Sequence, residues 1–220
     1  MATKKKQIEL TTQELLSKYT DYVLEQEQRP ASVFKFCKHI GIEESAFYHH
    51  FASFEKLEAY FFVALHEHSI KLLHQNKDFE NYDDANKLLS YYFTFFEMAT
   101  ANRSYILMSL EGHKNPLEGL AQLKDFRNHF LAFIQSILGS RTMLPDEKLR
   151  KIESKVMNEG AWLQFLFTLK FWMSDSSPNF EKTDVIIEKS VRASFDLMDN
   201  IPMKSLVDLG KFLWKERPFQ

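Results

Sequence analysis

Six glycines and six prolines are the only strong backbone breakers in this 220-residue chain, and between them apolar residues recur every three or four positions. A sheet sandwich or barrel needs a turn about every ten residues, drawn largely from Gly, Pro, Asn and Asp. Too few breakers exist for that, so the chain reads as all-α, with no convincing strand. The spacing predicts a helix from Thr11 to about Glu27 with Leu15, Leu16, Tyr19 and Val23 inward, and a short one opened by Ser32 with Val33, Phe36, Cys37 and Ile40 inward. A third runs from about Glu43 to Phe51 around Phe47. A long fourth, with Ser53 as its N-cap, reaches roughly Asn76. Further helices are expected near residues 82–100, 102–111, 117–139, 146–174, 180–200 and 203–216. Gly112 to Pro116, Gly139 to Pro145, Ser174 to Pro178 and Asn200 to Pro202 mark connections between them.

Composition narrows the classes of function. Apolar residues at 45% and charged residues at 26% describe a chain with a packed core. Of the aromatics, 21 are Phe, which lacks a polar handle and so suits core filling or an apolar cavity better than a polar active site. The lone Cys37 makes no intrachain disulfide, and no signal-peptide pattern opens the chain, so a cytoplasmic protein is expected. The stretch from Ala161 to Met173 is too short and too interrupted, by Gln164, Thr168 and Lys170, to span a bilayer, and no membrane partner is expected. His66 and His68, two apart, fall on different faces of a helix, as do Cys37 and His39. No phosphate loop, nucleophile elbow or His-Glu-x-x-His motif occurs, so neither enzyme, metal site nor cofactor is expected.

The net charge of −2 means that any contact with DNA must be local. The run Lys4, Lys5, Lys6 is a solvated terminus or a basic arm. Downstream, two short helices joined at Gly41, with Ile42 at the corner and a preceding helix to pack on, meet the physical requirement of a helix-turn-helix, whose second helix must project rigidly into a major groove. The segment Gly41-Ile42-Glu43-Glu44-Ser45-Ala46-Phe47-Tyr48-His49-His50-Phe51-Ala52-Ser53-Phe54-Glu55-Lys56-Leu57 resembles the recognition-helix signature of the TetR family of regulators. Ser32-Val33 and Phe36-Cys37 stand where that family has Thr/Ser-Val and Ile-Ala. The resemblance covers about residues 10–60.

The resemblance implies a TetR-like fold: a three-helix helix-turn-helix head in residues 1–55, and a larger helical ligand-binding and dimerisation domain in residues 56–220. It implies a homodimer on operator double-stranded DNA, with an apolar small-molecule or lipid-like effector altering the separation of the heads. Ser32 would bind phosphate, Tyr48 with His49 or His50 would clamp the backbone, and Glu44, Ser45 and Ala46 would approach base edges, with Lys56 also counted among the DNA contacts. The sequence departs from the family at Glu43 and Glu44, where relatives carry Ser and Lys or Arg, and at Phe54, often Lys. Residues 1–60 hold eight Lys and Arg against nine Asp and Glu. An acidic opening of the third helix repels phosphate, so the rival is a TetR-fold lipid or apolar-ligand carrier that has left DNA behind.

In the body, the 146–174 helix passes from a polar half with Lys148, Arg150 and Lys151 to the run Ala161 to Phe167. With the 180–200 helix, carrying Val185, Ile186, Val191, Phe195 and Leu197, it would form the dimer interface that the resemblance implies, or be buried within one subunit. Tyr91, Tyr92, Phe93, Phe95 and Phe96 cluster on the 82–100 helix, as core or as cavity wall. Candidate ligand contacts are Tyr92, Phe96, Trp162 and Phe165, with Gln164, Thr168 or His113 as polar anchors for an acyl chain, isoprenoid or flat aromatic compound.

Overall fold

A computed structural model describes residues 10–111, 116–139 and 147–200. The expected 203–216 helix, the Lys4 to Lys6 run and His113 lie outside them. Every regular element among the described residues is helical: α1 (Thr12–Gln26), α2 (Val33–Ile40), α3 (Glu44–Tyr48), α4 (Phe54–Gln75), α5 (Asp84–Ala101), α6 (Arg103–Glu111), α7 (Pro116–Gln122), α8 (Lys124–Leu138), α9 (Glu147–Ser174) and α10 (Glu181–Asn200), with short 3-10 turns at Phe79–Asn81 and Pro178–Phe180.

Local chemistry accounts for the ends. Thr11 and Glu14 form a reciprocal capping box on α1, Glu14 N donating to Thr11 Oγ1 at 3.1 Å and Thr11 N to Glu14 Oε2 at 2.7 Å. Ser32 caps α2 by accepting from Lys35 N at 3.2 Å, and Ser53 caps α4 through Lys56 N at 3.4 Å. Between α9 and α10 the Asp175 carboxylate accepts from Ser177 N and Oγ at 2.8 and 2.7 Å, and from Thr183 N and Oγ1 at 2.9 and 2.7 Å. Burial pushes this carboxyl up, but the four hydrogen bonds outweigh it and hold it at about 2.

The chain divides into two compact units, the first made of Met1–Ser69 with Phe95–His129 and the second of Ile70–Thr94 with Phe130–Gln220. In the first, the fully buried Phe36 is ringed by Tyr19, Tyr22, Phe47 and Phe54 at 5.6 to 6.3 Å between centroids, while Phe61 meets Tyr105 at 4.6 Å and Phe95 meets Phe126 at 5.4 Å. In the second, Phe130 is the hub, 5.8 Å from Tyr91, 5.1 Å from Phe165 and 6.2 Å from Trp162. Much of the Phe surplus is thus core. Such rings dominate burial energetics, and edge-on pairs add about 0.5–1.5 kcal/mol each.

One expected element divides. The 117–139 helix is two helices, α7 and α8, broken at the fully buried Leu123. Leu123 N bonds Leu120 O at 3.1 Å, and Arg127 N returns to Leu123 O at 2.8 Å. The apolar spacing of Leu123, Phe126 and Phe130 runs straight through this corner, so periodicity alone hides it. Gly119 lets α7 approach α6: a Cβ there would lie 2.7 Å from the Leu110 carbonyl oxygen.

Candidate nucleic-acid interface and ligand cavity

The helix-turn-helix is built around one left-handed residue. α2 ends at Gly41 with φ of +76°, a conformation that costs glycine nothing. Ile42 N then bonds Cys37 O at 2.9 Å, closing the turn. α3 is rooted by the fully buried Phe47, which packs on Phe36, Phe51 and Phe54. With Phe47 inward, Ser45, Tyr48 and His49 are exposed, Tyr48 at 53%, whereas Glu44 and Ala46 are half-buried. The expected alternative between His49 and His50 is separated here: His50 Nδ1 lies 2.9 Å from Thr12 Oγ1 and the residue is half-buried, while His49 stays in solvent. Ser32 is exposed. Its oxygen serves the α2 cap, and its hydroxyl proton remains to be donated.

Two of the cations near this motif are paired with acids. Arg29 donates to Glu55 Oε1 at 2.6 Å, lies 3.3 Å from Glu58 Oε1, and stands over the Phe54 ring at 5.3 Å. Glu58 also accepts from the Tyr19 hydroxyl. Burial first, then Glu58, pushes that phenol far above its ordinary range. The Ser53 hydroxyl, the backbone amide of Glu55 itself and Arg29 hold the Glu55 carboxyl at about 2. Lys56 Nζ pairs with Asp125 at 3.5 Å across an exposed surface. Lys35 and Lys38 on α2 stay exposed, with no ion pair among the described residues. Beside them Phe34 is 59% exposed, out of step with the inward Phe36 and Cys37. Sequence reasoning did not single it out, although that phase carried the signal.

In the second unit a cavity of about 330 Å³ lies among α5, α8, α9 and α10. Leu88, Leu138, Val156, Met157, Phe195 and Met198 supply apolar wall, and Glu153, Gln164, Ser194 and Asp199 its polar groups. The face pattern of α9 explains the arrangement. At about 100° per residue, Phe165, Leu169 and Trp172 point to the core, Met157, Gly160 and Gln164 to the cavity, and Ile152, Val156, Leu163 and Phe167 outward. These last four are 56 to 63% exposed, and Val156 belongs to both the outward stripe and the cavity wall.

Residues 87–213 match the family model described as the tetracyclin repressor-like C-terminal domain. The chain belongs to the tetracycline repressor-like family. No curated protein matches the chain significantly. The matched span begins in α5 and contains every wall residue of the cavity, whereas the motif at residues 10–60 lies wholly before it. Two stretches that share no residue therefore point to the same family of regulators. The body, which lies beyond the 10–60 resemblance, holds the matched domain.

For this TetR-family body, the anticipated ligand contacts do not gather in one place. Gln164 lines the cavity, its amide donating to Ser190 Oγ at 3.3 Å and accepting from Ser194 Oγ at 3.2 Å. Tyr92, Trp162 and Phe165 pack around Phe130 in the core of the second unit instead, because α5 aromatics face α8 aromatics there. Thr168 is buried, its hydroxyl turned back onto Gln164 O at 2.9 Å. Phe96 belongs to the first unit, against Phe95. Glu153, Met157, Ser194 and Asp199 were not anticipated. For Glu153 and Met157 the signal was the α9 arc between its buried and exposed faces; Ser194 and Asp199 come from α10. Among the described residues no His, Cys, Asp and Glu cluster could hold a metal, and no helix is long and apolar enough to cross a membrane.

Proposed function

We propose that this chain is a cytoplasmic transcriptional repressor that binds operator DNA as a homodimer and is released by an apolar molecule held in the α5/α8/α9/α10 cavity. The observation that carries the reading is a helix-turn-helix with an exposed Ser32-capped α2 and an outward Tyr48, on a chain whose body belongs to the TetR family. Residues 1–55 act as the head and 56–220 as the effector and dimerisation domain. Ser32, Tyr48, His49, Lys35 and Lys38 contact phosphates, while Glu44 and Ser45 read base edges, Glu44 by accepting from cytosine N4. His50, Ala46 and Lys56 act mainly by holding α3 and α4 in place. Dimerisation buries the outward stripe of α9 with Val185 and Leu197 of α10. These six residues expose roughly 600 Å² of side chain, on the order of three quarters of what each partner buries in a standard interface.

A second reading has its own support. Glu43 and Glu44 open α3, and Arg29 and Lys56 are already engaged with acids, which weakens the attraction of this face for phosphate. In that reading the protein carries its apolar ligand without binding DNA. Selection of genomic fragments by the purified protein at low salt separates the two. Enrichment of a fragment that Tyr48→Ala then binds at least about tenfold more weakly supports the regulator, since a lost charge-assisted or phosphate contact is worth about 1.4 kcal/mol or more. No enrichment over random DNA hands the function to the carrier.

A further inference from the structure

One large apolar side chain of the helix-turn-helix points away from the core that holds the motif together. Phe34 is 59% exposed among the described residues, while Phe36 and Cys37 on the same helix are buried. A single exposed apolar residue is ordinary on a protein surface, so what counts is where on α2 it stands. At about 100° per residue, Phe34 lies about 60° round the helix from Cys37, about 140° from His39 and about 40° from Lys38. The His39 side of α2 is turned to α1, the His39 ring lying 5.0 Å from that of Tyr22. The Cys37 side is turned to the start of α3. Burial first, then the charges of Glu44 and Glu43, pushes the Cys37 thiol up to about 11. Phe34 and Lys38 therefore share the flank of α2 beside the opening of α3, and Lys35, also exposed, follows Phe34 in the chain.

A helix-turn-helix lays its second helix in the major groove while its first crosses the backbone. A side chain on the flank between the two helices reaches the groove beside the bases that α3 faces. Phe34 has no donor or acceptor to offer a phosphate. What it offers is apolar surface, and the apolar group that base edges present in the major groove is the C5-methyl of thymine. Lys35 and Lys38, exposed beside it, supply the positive charge that holds such a ring against a phosphate-lined groove. Resting on the reading of residues 1–55 as a DNA-binding head, we propose that Phe34 is a base-reading residue whose ring packs on the C5-methyl of one thymine in each operator half-site. The operator then carries a thymine requirement in addition to the bases read by α3.

A fragment enriched from genomic DNA by the full-length protein is resynthesised with uracil in place of thymine, one symmetric pair of positions at a time, and binding is followed by fluorescence anisotropy. Uracil pairs as thymine does and lacks only the methyl. At one pair of positions wild-type binding weakens about fifteenfold, about fourfold for each methyl withdrawn from an apolar contact. Phe34→Ala binds the unmodified fragment at least about fifteenfold more weakly, is indifferent to uracil at that pair, and binds random DNA as the wild type does. Its melting temperature matches the wild type, because the side chain is exposed. Phe34→Leu, which keeps an apolar tip, retains part of the uracil sensitivity. A wild type indifferent to uracil at every position overturns the proposal without recourse to any variant. So does a Phe34→Ala protein that equals the wild type on the enriched fragment, loses as much on random DNA, or stays sensitive at every pair the wild type senses. Those results leave the regulator standing, since a fragment has been enriched. No enrichment over random DNA removes the regulator and the thymine contact together.

Discussion

Leu163→Glu is the sharpest test of how α9 is used. Leu163 is 63% exposed in the single chain, so within one subunit its side chain contributes little and its replacement costs under about 0.5 kcal/mol. In a dimer that covers the outward stripe the same side chain is buried. Full burial of a leucine is worth about 1.5–3 kcal/mol, and about two thirds of that remains to be gained on association. Two-fold symmetry presents Leu163 twice, giving about 2–4 kcal/mol per dimer before the added cost of burying two carboxylates. At 1.4 kcal/mol per decade the dimer dissociation constant rises at least about thirtyfold. Sedimentation velocity across a protein dilution series, with a thermal melt of the same sample, measures both quantities. A variant that melts like the wild type but sediments as a monomer fits the reasoning. A variant that stays dimeric to the same dilution as the wild type refutes it, and so does one that simply unfolds.

Other consequences are more local. Asp175→Ala removes four hydrogen bonds at the start of α10 and is expected to cost about 2–3 kcal/mol, read as a fall in urea midpoint. Because the Asp175 carboxyl is held at about 2 in the folded chain, its stabilisation is complete above about pH 4 and lost as pH falls towards 2, a loss the Ala variant should not show. Burial, and to a lesser extent His129, lowers the His66 imidazole to about 4. Between about pH 6.5 and 4 the unfolded chain takes up a proton that the folded one refuses, so stability falls on acidification by on the order of 2–3 kcal/mol, and His66→Gln should flatten that slope in melts taken from pH 7.5 to 4.5. Gly119→Ala places a methyl 2.7 Å from a backbone carbonyl and should destabilise by about 1–3 kcal/mol in denaturant titration, where Gly160→Ala, into open space, should be neutral or stabilising.

The fold was legible where residues have local reasons to be where they are. Thr11, Ser32, Gly41 and Ser53 announce helix ends through hydrogen bonds and backbone freedom that depend on close neighbours in sequence. The α7/α8 corner was not legible, because Leu123 keeps the apolar rhythm on both sides of the break. The helix-turn-helix was readable from Gly41, Phe47 and Tyr48, but the fate of its charges was not: Arg29 meets Glu55 across 26 positions, and Lys56 meets Asp125 across 69. The cavity was the least legible part. Aromatic richness on α5 pointed to Tyr92, which is core, whereas the wall combines one side chain from α5, one from α8 and arcs of α9 and α10 that only packing brings together.

Whether this TetR-family chain reads DNA is decided by a salt titration of wild-type affinity on a fragment enriched from genomic DNA, beside random DNA of the same length. A DNA-reading repressor holds its specific fragment at least about a thousandfold more tightly than random DNA. On the random DNA the salt slope is expected to be shallow and to steepen when Glu43→Ser and Glu44→Lys are introduced together, because each acid near phosphate opposes counterion release. Equal, weak binding of both DNAs at every salt concentration, with binding gained only after the double substitution, would contradict DNA reading by this chain.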